Sequence, residues 1–324
     1  MDLFALAVGN LTSPIILSFA LGLFAALARS DLSIPEAVAK GMSIYLLFAI
    51  GFKGGVAVDE AGLSGTLLGA LLGAVVLSFA LPFAAYALLR VMTRLSALDA
   101  AAVAAHYGSI SIVTFVAGTS VLESAGLSYD GWMVAVAAAM EAPAILSALW
   151  LVARSGGGRQ MDGELMREIL LNGSIVLLIG SFVIGWVTGS EGLARIESFI
   201  VSPFQGVLCL FLLDMGLVAG RGLRNARGVL RPGLLTFGVV MPLVGAASGA
   251  AAGLILGLGT GSTMLFMVLG ASASYIAVPA AMRVALPEAN PSVYLTLSLG
   301  VTFPFNLTLG LAIYLAVARF LTGG

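Results

Sequence analysis

The chain of 324 residues has little charge, one cysteine and one histidine. Only 10% of its residues are Asp, Glu, Lys or Arg, against about 25% in soluble globular domains. That deficit, with 60% hydrophobic residues and a mean hydropathy of +1.09, excludes a cytosolic enzyme and a disordered chain. The net charge is −1, so there is no basic excess to hold nucleic acid through its phosphates. Cys209 cannot form an internal disulfide, and with His106 alone it makes no zinc or other transition-metal site. Neither a GxxxxGK[ST] loop nor an HExxH helix occurs. The single histidine lies in the same segment as Ser109 and Ser111, whereas an intramembrane serine protease needs its base on another helix. No catalytic residue and no cofactor is expected.

What the chain does have is long apolar runs, each near the ~20 residues that a membrane-crossing helix needs. Charged and Gly/Pro-rich breaks divide it into ten candidate spans. They run near 11–29, 36–57, 63–89, 98–122 and 131–153, then 168–188, 197–219, 233–257, 261–286 and 293–320. No ten-residue alternation suggests a β-barrel. The 41 glycines lack a collagen period and suit close packing of membrane helices. The fold class expected is an all-α integral membrane protein of ten transmembrane helices. Arg29, Arg90, Arg94, Arg154, Arg159, Arg167 and the cluster Arg221, Arg224, Arg227 and Arg231 fall on one side of such a drawing. The positive-inside rule makes that side cytoplasmic, together with the central loop, and places both termini outside.

The halves resemble each other at a spacing of about 163 residues. Ile50-Gly51-Phe52-Lys53-Gly54-Gly55 pairs with Met215-Gly216-Leu217-Val218-Ala219-Gly220, and Gly108-Ser109-Ile110-Ser111 with Ala271-Ser272-Ala273-Ser274. Five spans per half is an odd number, so the second copy must be inverted. The domains expected are residues 1–155, a short cytoplasmic linker 156–166, and an inverted repeat 167–324. Inverted repeats characterise secondary transporters, whose sites lie near the midplane between repeats.

Spans four and nine are expected to be discontinuous, at Gly108 and at Pro279. A mid-span proline removes a backbone donor and crowds the preceding turn. Broken backbone survives at membrane depth only when buried in protein or lining a wet cavity. Such a break offers amides to an anion and carbonyls to a cation. Ser109, Ser111 and Thr114 in one span and Ser272, Ser274 and Tyr275 in the other supply hydroxyls there, whereas Ser78 lies outside. Small hydroxyl residues also occur where helices simply pack closely, so packing is the competing reading. Glu141, mid-span before Pro143, is either a functional buried acid or a carboxyl bonding a carbonyl that the proline frees. Lys53 and Asp214 read as snorkelling or paired groups near helix ends, and His106 as a satisfied buried imidazole.

His106-Tyr107-Gly108-Ser109-Ile110-Ser111, Ser128-Tyr129-Asp130-Gly131-Trp132 and Met140-Glu141-Ala142-Pro143-Ala144 carry a family resemblance. So do Ala271-Ser272-Ala273-Ser274-Tyr275-Ile276-Ala277-Val278-Pro279 and Pro287-Glu288-Ala289-Asn290-Pro291-Ser292. With these motifs, over nearly its full length, the chain resembles the sodium-dependent bicarbonate transporter family of ten-helix bacterial permeases. The resemblance implies a homotrimer in the bacterial inner membrane that imports bicarbonate by alternating access, with Na+ as coupling ion. It implies a substrate site of Gly108, Ser109, Ser111, Thr114, Ser272, Ser274, Tyr275 and Ala277, with Ser109, Ser111, Ser272 and Ser274 also serving sodium. Related carriers have an aspartate and a glycine where this chain has Tyr275 and Val278, which removes an anionic oxygen from the cation site. The central loop is shorter than in carriers regulated by PII-like proteins, which argues against that partner. The residues leave open a permease for a small organic carboxylate, an anion channel and a non-transporting scaffold.

Overall fold

The computed structural model describes residues 12–141, 143–154, 167, 171, 173–225, 231–275, 278–279, 282, 286 and 288–323. The expected linker 156–166 lies outside them, as do Ala277, Arg159 and Arg227. Among the described residues every regular element is helical. Seven helices are long and apolar enough to cross a membrane. Shorter apolar helices accompany them, and the protein is a multi-pass membrane protein.

Helix α1 covers Pro14–Leu27, α2 Glu36–Ala61, α3 Gly65–Met92, α4 Ala97–His106 and α5 Ile112–Ser124. Helix α6 covers Met133–Ala139, α7 Pro143–Arg154, α8 Gly173–Ile200, α9 Phe204–Asn225, α10 Pro232–Ile255 and α11 Thr260–Ala271. The last, α12, is the 32-residue stretch Pro291–Thr322. Local signals set many of the starts. Ser13, Ser64 and Ser96 accept hydrogen bonds from first-turn amides of α1, α3 and α4, and Asn290 does so for α12. Proline occupies the first position of α1, α10 and α12, where its missing N–H costs nothing.

Three elements differ from the sequence expectation. Helix α8 does not end near residue 188 but bends at Gly189 (φ 57, ψ −156) and runs on to Ile200. Glycine takes this backbone without a Cβ penalty, and the continuation carries the exposed Glu191, Arg195 and Glu197. The fifth span is two helices, because α6 stops before Met140 and Pro143 opens α7. The last span contains π-helical stretches at Ser298–Thr302 and Asn306–Gly310, on either side of Pro304. A proline that cannot donate displaces the i→i−4 ladder, and wider turns absorb the shift.

The helices pack as two groups. In one, α8 lies along α2 and α9 along α1. A methyl at Gly22 would strike the Leu213 carbonyl, and one at Gly216 the Phe19 carbonyl. Glycine therefore lets these backbones touch, the usual route to tight helix association without a hydrophobic drive in lipid. The other group is built on α3 and α10: α3 holds α4 and α7, α10 holds α11 and α12, and α5 packs on α11. Its side-chain core includes Leu81, Val103, Ile145, Phe237 and Leu297.

Candidate functional site

Two helix interruptions meet in the buried interior, and each carries buried serines. Helix α4 stops at His106 and α5 starts at Ile112, so Tyr107–Ser111 cross the interior without helical bonding. Helix α11 stops at Ala271, and Ser272–Tyr275 are non-helical before Val278 and Pro279 resume a helical backbone. The second interruption thus precedes Pro279 rather than falling on it. Proline is tolerated at the start of a helical stretch, which is where Pro279 sits. The two interruptions touch: the Ser274 amide donates to the His106 carbonyl at 2.7 Å.

The second serine of each motif caps the backbone just beyond it. Ser111 Oγ accepts from the Thr114 amide at 3.2 Å and the Thr114 hydroxyl at 2.9 Å. Ser274 Oγ accepts from the Val278 amide at 3.5 Å. The first serines differ: Ser109 Oγ donates to Glu141 Oε2 at 3.1 Å, and Ser272 Oγ to the Leu269 carbonyl at 2.8 Å. Among the described residues Glu141 thus bonds a serine of the interruption rather than a carbonyl beside Pro143. Ser109, Ser111, Thr114, Ser272 and Ser274 are each 4% exposed or less, so no open path reaches them in this conformation. Tyr275 is also buried; its hydroxyl lies beside Ser111 and completes no hydrogen bond among the described residues.

Neighbouring helices hold this junction. A methyl on Gly108 would meet the Pro82 ring and the Ser78 carbonyl, so glycine is needed for Tyr107–Ser111 to lie against α3. Proline at 242 leaves the Gly238 carbonyl without its helical donor, and the Thr302 hydroxyl donates to it at 2.8 Å. With its proton so used, Thr302 Oγ1 accepts from Tyr107 Oη at 2.7 Å. Three residues before Pro82, the Ser147 hydroxyl donates to the Phe79 carbonyl at 2.7 Å. The amide of Asn306 donates to the terminal carbonyl of α11, Ala271, at 2.9 Å, and its oxygen accepts from Tyr314 Oη at 2.7 Å.

The structure thus brings Gly108, Ser109, Ser111, Thr114, Ser272, Ser274, Tyr275 and Glu141 into the two interruptions and their immediate supports. Sequence reasoning missed Thr302, Asn306 and Tyr314, although a Thr and an Asn flanking Pro304 in an apolar run are a readable signal. Ser78 is not remote either: it is fully buried and donates to the Met140 carbonyl at 2.7 Å. Buried His106 bonds the Ala102 carbonyl through Nδ1 and stacks on Tyr294 at 4.6 Å, but its Nε2 has no partner among the described residues. Lys53 Nζ lies 4.8 Å over the Phe204 ring. Asp214 is buried in the middle of α9 rather than near its end.

Chemically, two capped helix starts and several buried hydroxyls can bind a small anion through N–H and O–H donors. The carbonyls of His106 and Ala271 and the serine oxygens offer hard ligands to a small cation. No curated protein matches the chain by sequence. The family model for the Na+-dependent bicarbonate transporter superfamily matches residues 14–319. The match includes both interruptions and the residues that support them, and the chain belongs to the Na+-dependent bicarbonate transporter superfamily.

Proposed function

We propose that the chain is a secondary transporter that imports bicarbonate with sodium by alternating access. The reading rests on one observation above the others: the Ser274–His106 hydrogen bond joins two helix interruptions, each with a serine capping the backbone beyond it. In this reading the anion takes the amides and hydroxyls around Ser109, Ser111, Thr114, Ser272, Ser274, Tyr275 and Ala277. Sodium takes serine and carbonyl oxygens at the same crossing. The burial of these serines supports a carrier over a channel, since a carrier must alternate between closed barriers.

The topology proposed with this function is ten crossings in two inverted repeats, residues 1–155 and 167–324. Three parallels favour it. A hydroxyl donates to a carbonyl one turn before a proline in α3 and again in α10. Interrupted helices fall at matching places in the two halves. The pairs α1 with α9 and α2 with α8 exchange partners as a two-fold axis requires. Both termini outside, a cytoplasmic linker, residence in the bacterial inner membrane and a homotrimer complete the proposal, without a PII-like partner. Uptake of labelled bicarbonate into proteoliposomes, with and without an inward sodium gradient, tests the function. Uptake driven by the gradient supports it; no bicarbonate uptake removes the substrate, and gradient-independent uptake removes the coupling.

A further inference from the structure

The joint between the end of α3 and the start of α10 holds a second feature with ligand chemistry. A methyl at Gly233 would strike the Met92 carbonyl, so the helix ends are in close contact. The turn after α3 is held in shape: Thr93 Oγ1 donates to the Leu89 carbonyl at 2.6 Å, and Arg90 Nη1 donates to the Leu95 carbonyl at 2.8 Å. Beside this joint is a cavity of about 390 Å³ lined by Arg94, Arg231, Thr93 and Gly233. Arg90 is occupied by the turn. Arg94 and Arg231 are exposed and have no hydrogen-bond or ion-pair partner among the described residues.

The cavity also sits where the apolar surface ends. Leu68, Leu72, Val76 and Phe79 form an exposed stripe along α3, and Val91, next to the turn, is 86% exposed. Leu235, in the first turn of α10, is exposed as well. In a membrane protein such side chains face acyl chains, so the step from Val91 to Arg94 marks the border of hydrocarbon and headgroups. Two guanidiniums at that border match a phosphodiester in charge and donor geometry. We propose that Arg94 and Arg231 form a binding site for an anionic phospholipid, with the headgroup phosphate between them and an acyl chain running past Val91 into the hydrocarbon. The site lies outside the helix interruptions and does not depend on the transport reading.

The test is binding of dioctanoyl-phosphatidylglycerol to delipidated full-length protein in detergent, followed by native mass spectrometry. The comparison lipid is dioctanoyl-phosphatidylcholine, and glycerol phosphate is the free-anion competitor. Near an anionic headgroup each basic residue contributes about fivefold in affinity, so R94Q/R231Q is expected to bind about 25-fold more weakly. R94K/R231K should keep most of the affinity, and R319Q, which changes an arginine at the far end of α12, should keep all of it. Melting temperatures that match the parent's would show that R94Q/R231Q folds. If that variant does not fold, binding by R94K/R231K and its competition by glycerol phosphate decide. Equal binding of the two lipids, an unchanged affinity in R94Q/R231Q, or displacement by glycerol phosphate at the lipid's own concentration would overturn the proposal.

Discussion

The amide of Ser274 donates to the carbonyl of His106 across 2.7 Å. One is a loose end of the second helix interruption, the other the last helical residue before the first. Each satisfies a backbone group that lipid could not, and an unsatisfied group at this depth would cost several kcal/mol. The contact also fixes how the two interruptions sit, and with them the capping serines.

The caps can be removed separately. Ser111→Ala deprives the Thr114 amide and hydroxyl of their acceptor, and Ser274→Ala deprives the Val278 amide. Each should cost about 1 kcal/mol of stability and lower initial bicarbonate uptake in proteoliposomes by about tenfold, roughly the effect of one lost hydrogen bond to a charged ligand. Ser124, exposed at the end of α5, is the proper control, and Ser124→Ala should leave uptake unchanged. Ser78 cannot serve, because it holds the Met140 carbonyl. Equal effects at Ser111, Ser274 and Ser124 would favour simple packing.

Glu141 is placed as an acceptor for Ser109. A glutamine keeps an acceptor oxygen there and an alanine keeps none. Glu141→Gln should therefore retain most of the thermal stability in detergent, and Glu141→Ala should lose about 2 kcal/mol, the typical cost of leaving a buried partner unsatisfied. A Gln variant as damaged as the Ala variant would show that the carboxylate does more than accept this bond.

Gly108→Ala introduces a methyl where Pro82 and the Ser78 carbonyl already stand. The expected loss is about 1–3 kcal/mol, the usual range for overpacking, read as a lower melting temperature. Gly206, whose Cβ would meet nothing within 4 Å, is the matching control: Gly206→Ala should be neutral or slightly stabilising in a helix.

Asn306 serves two partners, the Ala271 carbonyl and the Tyr314 hydroxyl. Asn306→Ala strands both in the buried interior and should destabilise by about 2–4 kcal/mol, one buried group at a time. Tyr314→Phe removes one partner only and should cost less. The order of the two melting temperatures checks the network.

Much of this is legible in the sequence because membrane depth makes polar residues and prolines conspicuous. The apolar runs, the Ser-x-Ser pair and the motifs around them are enough to point to the family. Helix α4 stops and α5 starts around Gly108 and Ser109, where a glycine and hydroxyls mark a weak point in an apolar run. Other features depend on tertiary contact and leave weaker local marks. Nothing near Gly108 says that Pro82, 26 residues earlier, will press on it. Pro279 draws attention as a breaker, but a proline can equally begin a helix, and only the fold decides which. The bend at Gly189 is hidden because a positive-φ glycine and a span end look alike in sequence. Thr302 and Asn306 gain their roles from carbonyls left open at Gly238 and Ala271 on other helices.

A density map of the protein with bicarbonate and sodium bound tests the central claim most directly. The account expects the anion between the two interruptions, within hydrogen-bonding distance of Ser111 or Ser274 and of a neighbouring backbone amide. An anion held elsewhere, with both serines still bonded only to Thr114 and Val278, would contradict it.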